Sequence, residues 1–137
     1  MKNKILSVIA GITTGWIIVA IADIVVHSFF PLPQNFDYKN KEALKVFAEK
    51  LPNSAFIMMI FFWAISVFSG GLVTGKIAKE NWQRTCLITG VILLIATIGN
   101  LSLIPHPIWV KVITVLMYLP LAYLGAKIVN NRISKSN

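Results

Sequence analysis

The chain has 137 residues, of which 56% are hydrophobic and only 13% are charged, and its mean hydropathy is +0.73. A soluble domain carries roughly 25% charged residues, so this sequence has too little polar surface to cover a water-facing globule. The composition argues against a soluble enzyme, a nucleic-acid-binding protein and a disordered chain, and it indicates an integral membrane protein of one domain, 1–137.

Four apolar runs predict four transmembrane helices. The last charge-free run, Val112–Ala126, is short for a hydrocarbon core of about 30 Å, but Lys111 and Lys127 can snorkel outward and lengthen it. A cleavable signal peptide is the alternative for the first run, although that run is longer than a typical signal core. The predicted fold is an all-α membrane protein, a four-helix bundle whose helices cover 5–26, 54–76, 85–104 and 108–129.

The segment 27–53 between the first two spans is the one sizeable polar stretch. Pro31-Leu-Pro33 favours extended chain, and Asp37 or Asn40 can cap a short helix over about 41–51. The apolar residues of this helix follow helical spacing on one face: Leu44, Phe47, Ala48 and Leu51. Such an external amphipathic helix lies on the membrane surface or covers the bundle mouth as a lid, and both alternatives use the same face.

The net charge of +8 comes from 13 basic and five acidic residues, and the basic residues lie between the apolar runs. They act there as topology determinants and as contacts for anionic lipids. Eight basic residues fall on the side of the two termini: Lys2, Lys4, Lys76, Lys79, Arg84, Lys127, Arg132 and Lys135. The other side holds five, so we expect both termini in the cytoplasm and the 27–53 loop outside.

Small residues predict how the helices pack. Gly11-x-x-x-Gly15 and Gly71-x-x-x-Gly75 lie at one depth on consecutive helices, so we expect the two pairs to contact each other within one chain. The second and fourth spans end similarly, with Gly75-Lys-Ile and Ala126-Lys-Ile. Two tandem helical hairpins produce this weak repeat, and so does convergence on common helix-end chemistry.

Four polar residues define a candidate ligand or proton site. Asp23 is the one acidic residue within a span, and His27 shares its helix face by i,i+4 spacing. Asn100 reaches a similar depth on the third span, and His106 follows in a turn between two prolines. We expect these residues to converge on an outward-facing site in which the carboxylate raises the pKa values of the histidines.

A purely structural polar cluster is the alternative to that site. A metal site built from two histidines and one aspartate is a third interpretation, but the spacing matches no metal motif. The single cysteine, Cys86, excludes an intramolecular disulfide and a cysteine-based zinc site. The sequence therefore predicts no metal and no cofactor.

Several short stretches carry a family resemblance: Phe30-Pro-Leu-Pro33, Phe68-Ser-Gly-Gly-Leu72 and, most specifically, Asn100-Leu-Ser-Leu-Ile-Pro-His-Pro-Ile-Trp109. With these motifs the chain resembles an uncharacterised family of small bacterial four-helix inner-membrane proteins. The resemblance covers most of the chain. It implies the fold and the bacterial inner (cytoplasmic) membrane, and it implies no chemistry.

The sequence has no Gly-rich phosphate loop, nucleophile elbow or Cys/His pair, so we expect a non-enzymatic protein with a binding or accessory role in a membrane complex. The expected partners are the lipid bilayer and either a second copy or another membrane protein, with no nucleic acid. The alternative is a small oligomeric permease or channel that uses the site around Asp23. A permease needs polar residues at several depths, and the inner half offers few: Thr13, Thr14, Ser69, Thr74 and Thr89.

Overall fold

The computed structural model describes residues 2–78 and 80–135, so Lys79, counted above among the basic residues, lies outside it. The helices are α1 (Lys2–Phe29), α2 (Lys41–Lys50), α3 (Asn53–Ala78), α4 (Trp82–Leu103) and α5 (Ile108–Lys135). All except α2 are long and apolar enough to cross a membrane. The predicted all-α, four-helix fold is confirmed, and the chain is a multi-pass membrane protein.

The helices differ from the prediction mainly at their ends. Helix α5 continues to Lys135 where the hydropathy pattern ends the span at 129, and α1 reaches Phe29 instead of 26. Backbone hydrogen bonding lets a helix continue past the apolar run that enters the membrane, so hydropathy marks the span and not the whole helix.

The long helices form two antiparallel hairpins, α1–α3 and α4–α5, that lie side by side. In the first hairpin Gly15 faces Ser66 while Ser7 faces Thr74, which makes α1 and α3 antiparallel. Helices α3 and α5 run parallel, since Gly71 packs on Ala122 and Gly75 packs on Ala126. The α3 and α4 helices each contact the other three long helices. This is the two-hairpin arrangement that the weak repeat predicts.

The contact between α3 and α5 joins equivalent positions of the repeat. Gly71 and Ala122 each precede the lysine of their Lys-Ile pair by five residues, and Gly75 and Ala126 each precede it by one. The α3–α5 contact thus pairs the same positions of the two similar helix ends.

One end of the bundle combines basic residues from all four long helices. Helices α1 and α4 begin at this end, and α3 and α5 terminate there. We call it the basic end, because it holds Lys4, Lys76, Arg84 and Lys127. We call the opposite end, where α2 lies, the α2 end.

The expected contact between the two glycine pairs is wrong. A Cβ at Gly11 would meet Thr74 and Gly70, and one at Gly15 would meet Leu93 and Ser66, so α1 packs on the 66–70–74 face of α3. Gly71 and Gly75 face α5 instead. Successive residues of a helix point about 100° apart, so α3 has two small-residue faces and uses one for each neighbour.

Buried hydroxyl groups add hydrogen bonds at these close contacts. Ser66 Oγ donates to the Gly15 carbonyl at 2.9 Å, and Thr74 Oγ1 donates to the Ser7 carbonyl at 3.2 Å. Thr74 Oγ1 also lies 3.0 Å from Thr89 Oγ1, and both threonines are completely buried. Lipid offers no hydrogen-bond partner, so these hydroxyls hold α1, α3 and α4 together where the small residues allow close approach.

Replacement of Gly71 by alanine tests the α3–α5 contact. The new methyl group would collide with the backbone carbonyl of Ala122, so we expect Gly71→Ala to lower the free energy of unfolding by about 1–3 kcal/mol. Denaturant unfolding in detergent, followed by circular dichroism, measures this. Gly99→Ala in α4 is the matched control, since a Cβ there meets nothing within 4 Å. Equal stability of the two variants would contradict the close α3–α5 contact.

Candidate functional site

Helix α2 begins at a polar cap. The Asn40 side chain accepts hydrogen bonds from the backbone N–H groups of Glu42 at 3.0 Å and Ala43 at 3.2 Å. Asp37, the other predicted cap, instead accepts from the Lys39 N–H at 2.9 Å and shapes the preceding turn. Asn40 therefore fixes where α2 starts.

The apolar face of α2 covers a cavity of about 320 Å³, which we call the α2 cavity. Leu44 and Ala48 of α2 are buried, and with Phe47 they form part of its wall. The other walls come from α1, α3, the end of α4 and the turn before α5. Of the two alternatives left by the sequence, this structure has α2 as a lid over the bundle mouth.

The rest of the lining is mostly apolar and includes four aromatic side chains. Phe56 and Trp63 of α3 are buried at the cavity wall, and Phe36 and Tyr38 come from the segment before α2. Phe36 packs edge-on against Tyr38 with ring centroids 5.3 Å apart. A mostly apolar cavity of this size with a few polar groups is typical of small-molecule sites.

All four predicted polar residues line the α2 cavity. Asp23 and His27 come from α1, Asn100 from the last turns of α4, and His106 from the turn that follows. Asp23 is the one acidic residue among those that line it. The four residues that the sequence analysis selected thus line the same cavity.

The backbone fixes the tautomer of both histidines. The Nδ1 atom of His27 lies 2.7 Å from the Asp23 carbonyl oxygen, and Nδ1 of His106 lies 2.7 Å from the Ile104 carbonyl oxygen. A carbonyl oxygen only accepts, so Nδ1 carries the proton in each ring. In the neutral imidazole Nε2 is then a hydrogen-bond acceptor.

The expected rise in the histidine pKa values is wrong for His106. Burial lowers its pKa below the ordinary 6.5; the hydrogen bond to Ile104 opposes this, and the nearby Lys111 charge adds to it. The ring packs against Phe56 and Trp63 with centroids 5.8 and 6.0 Å away. Apolar surroundings disfavour the charged imidazolium, and no pairing with Asp23 compensates for that.

A smaller cavity of about 110 Å³ continues from the α2 cavity into the bundle and shares Val19, Trp63 and Asn100 with it. The Thr97 and Tyr118 hydroxyls line it and lie 2.7 Å apart. Sequence analysis identified neither Thr97 nor Trp63 as part of a site. Two spacings could have found them: Thr97 precedes Asn100 by three residues, and Phe56 precedes Trp63 by seven, which puts each pair on one helix face.

Within 2–78 and 80–135 no group of three His, Cys, Asp or Glu side chains is arranged to hold a metal ion. The two histidines and Asp23 share a cavity without forming such a group. No family model, curated protein or solved structure matches the chain. The family resemblance therefore stays a prediction.

The lowered pKa of His106 predicts a pH-dependent stability. The folded protein disfavours protonation of this ring more strongly than the unfolded chain does. The contribution of the neutral ring to the free energy of unfolding is therefore fully present above the ordinary pKa of 6.5, and it is lost as the pH falls from there toward the lowered pKa. Thermal unfolding in detergent between about pH 7.5 and about pH 5.5 measures this. We expect His106→Gln to reduce the loss, and an unchanged pH profile in this variant would contradict the assignment.

Proposed function

We propose that this chain is a non-enzymatic protein of the bacterial inner membrane that binds a small amphipathic molecule in the α2 cavity, as a binding or accessory component of a membrane complex. The observation that carries the proposal is the cavity itself. It has apolar walls that include aromatic side chains, and a helix lies across its mouth. Polar residues converge on it from separate elements: Asp23, His27, Asn100 and His106.

The polar groups favour a ligand that donates hydrogen bonds. The Asp23 carboxylate accepts, and Nε2 of a histidine ring accepts when the ring is neutral and Nδ1–H donates to a backbone carbonyl. The aromatic walls stabilise a cation through their ring faces. These features together select an amine with an apolar body, bound as its ammonium ion.

The basic residues support an orientation with both termini in the cytoplasm. Basic side chains concentrate in cytoplasmic segments, and most of them fall here on the basic end. With that orientation the α2 cavity opens on the outer side of the membrane, where it would take its ligand from outside the cytoplasm.

The packing of the basic half favours binding over transport. Thr74 and Thr89 are completely buried and hydrogen-bonded to each other, and a Cβ at Gly11 would collide with Thr74. Such contacts pack α1, α3 and α4 closely together in the basic half. A permease would need this half of the bundle to open.

Labelling of single cysteines tests the orientation. In a Cys86→Ser background, we expect Asn40→Cys to react with a membrane-impermeant maleimide added to intact cells. The control Asn131→Cys, near the end of α5, should react only after the cells are permeabilised. The opposite pattern would place the termini outside.

A tryptophan that lines the cavity allows the binding proposal to be measured. Replacement of the other three tryptophans by phenylalanine leaves Trp63 as the single emitter: Trp16→Phe, Trp82→Phe and Trp109→Phe. We expect 2-phenylethylammonium to change Trp63 fluorescence saturably in lipid nanodiscs, while 3-phenylpropanoate, of similar size and opposite charge, does not. Asp23→Asn should weaken the ammonium affinity about tenfold or more, through loss of a charged acceptor.

The matched control is Glu49→Gln, which removes one acid at the same end without altering the cavity lining. Equal weakening in both variants, or preference for the anion, would contradict the proposed site. Ammonium flux into proteoliposomes that depends on Asp23 would instead establish the permease alternative.

A further inference from the structure

A second cavity lies at the opposite end of the bundle, between α1 and α4. It has a volume of about 450 Å³ and is a groove with walls of branched apolar side chains: Ile5, Val8, Ile9 and Ile88. The two helices run parallel and touch where Gly11 meets Thr89. The groove lies within about two helical turns of that contact, toward the basic end.

The mouth of this groove is positively charged. Lys4 of α1 and Arg84 of α4 both line it, together with Asn81 in the turn before α4. The eight lining residues include these two cations and no acid. Glu80 is exposed in the same turn but is not among the lining residues. An anionic group at the mouth would thus meet a cation from each wall.

The apolar walls of the groove lie on the outer surface of the bundle. Ile5, Ile9 and Ile88 are 62%, 55% and 52% exposed in the isolated chain. In a membrane this surface faces lipid, so the molecules that reach the groove are lipids. A soluble anion would find the two cations but would leave the apolar walls uncovered.

We propose that this groove is a binding site for an anionic phospholipid. The headgroup phosphate lies between Lys4 and Arg84, where arginine can bind two oxygens of one phosphate and lysine supplies a point charge. An acyl chain covers the isoleucine walls. Basic pockets between transmembrane helices at a membrane surface bind anionic headgroups in this manner. The site is separate from the α2 cavity, and its occupancy does not depend on the function proposed there.

Native mass spectrometry of the full chain, released from nanodiscs that contain phosphatidylglycerol and phosphatidylcholine, tests this site. We expect one retained phosphatidylglycerol per chain. The double variant Lys4→Gln/Arg84→Gln should weaken retention at least about tenfold, because each basic residue near a membrane surface contributes to binding. Val8→Trp, which fills the groove and leaves both cations in place, should also reduce retention. Excess glycerol 3-phosphate should not displace the lipid.

The control is Lys76→Gln/Lys127→Gln, which removes two charges from the same end without touching the groove. Retention in this variant should match the unmodified protein. Equal loss in both double variants would show a diffuse basic surface. Retention of the zwitterionic phosphatidylcholine at the same level would overturn the preference for an anionic lipid. Displacement by glycerol 3-phosphate would assign the site to a soluble anion.

Discussion

The bundle depends on the close approach of α3 to helices on two of its faces. In lipid the hydrophobic effect does not drive helices together, so association rests on van der Waals contact and hydrogen bonds at short range. Gly70 and Ser66 allow α1 to approach, while Gly71 and Gly75 admit α5. Two adjacent glycines, about 100° apart around one helix, therefore serve two different contacts: Gly70 packs on α1 within the first hairpin, and Gly71 packs on α5 of the second.

The cavities follow from where side chains are small and where they are large. Toward the basic end glycine and threonine bring the backbones together and fill the interior. Toward the α2 end Phe56, Trp63 and His106 hold the elements apart, and α2 covers the space that results. The helices α1, α3 and α4 are therefore in close contact toward the basic end, while the interior toward the α2 end holds a cavity.

The backbone determines the chemistry of the α2 cavity as much as its side chains do. Carbonyl groups near the ends of α1 and α4 accept hydrogen bonds from the Nδ1–H groups of His27 and His106. In the neutral ring this leaves Nε2 as an acceptor. Burial keeps His106 from charging easily. A site with two histidines and one aspartate thereby favours hydrogen-bond donors, although the residue types alone suggest a proton relay or a metal.

The sequence by itself determined the membrane class, the four spans, the short amphipathic helix between the first two spans and the four polar residues that meet in one cavity. Hydropathy predicts how deep each residue lies in the membrane, and i,i+4 spacing predicts which residues share a helix face. Both can be derived from a single sequence because neither depends on how the helices pack. Which face of α3 meets α1, the environment of His106 and the role of α2 as a lid were decided by the tertiary structure. Each of these depends on how the helices are rotated about their own axes relative to one another. A helix with small residues on two faces can pack in more than one rotation, and only the packing of all the helices together selects one.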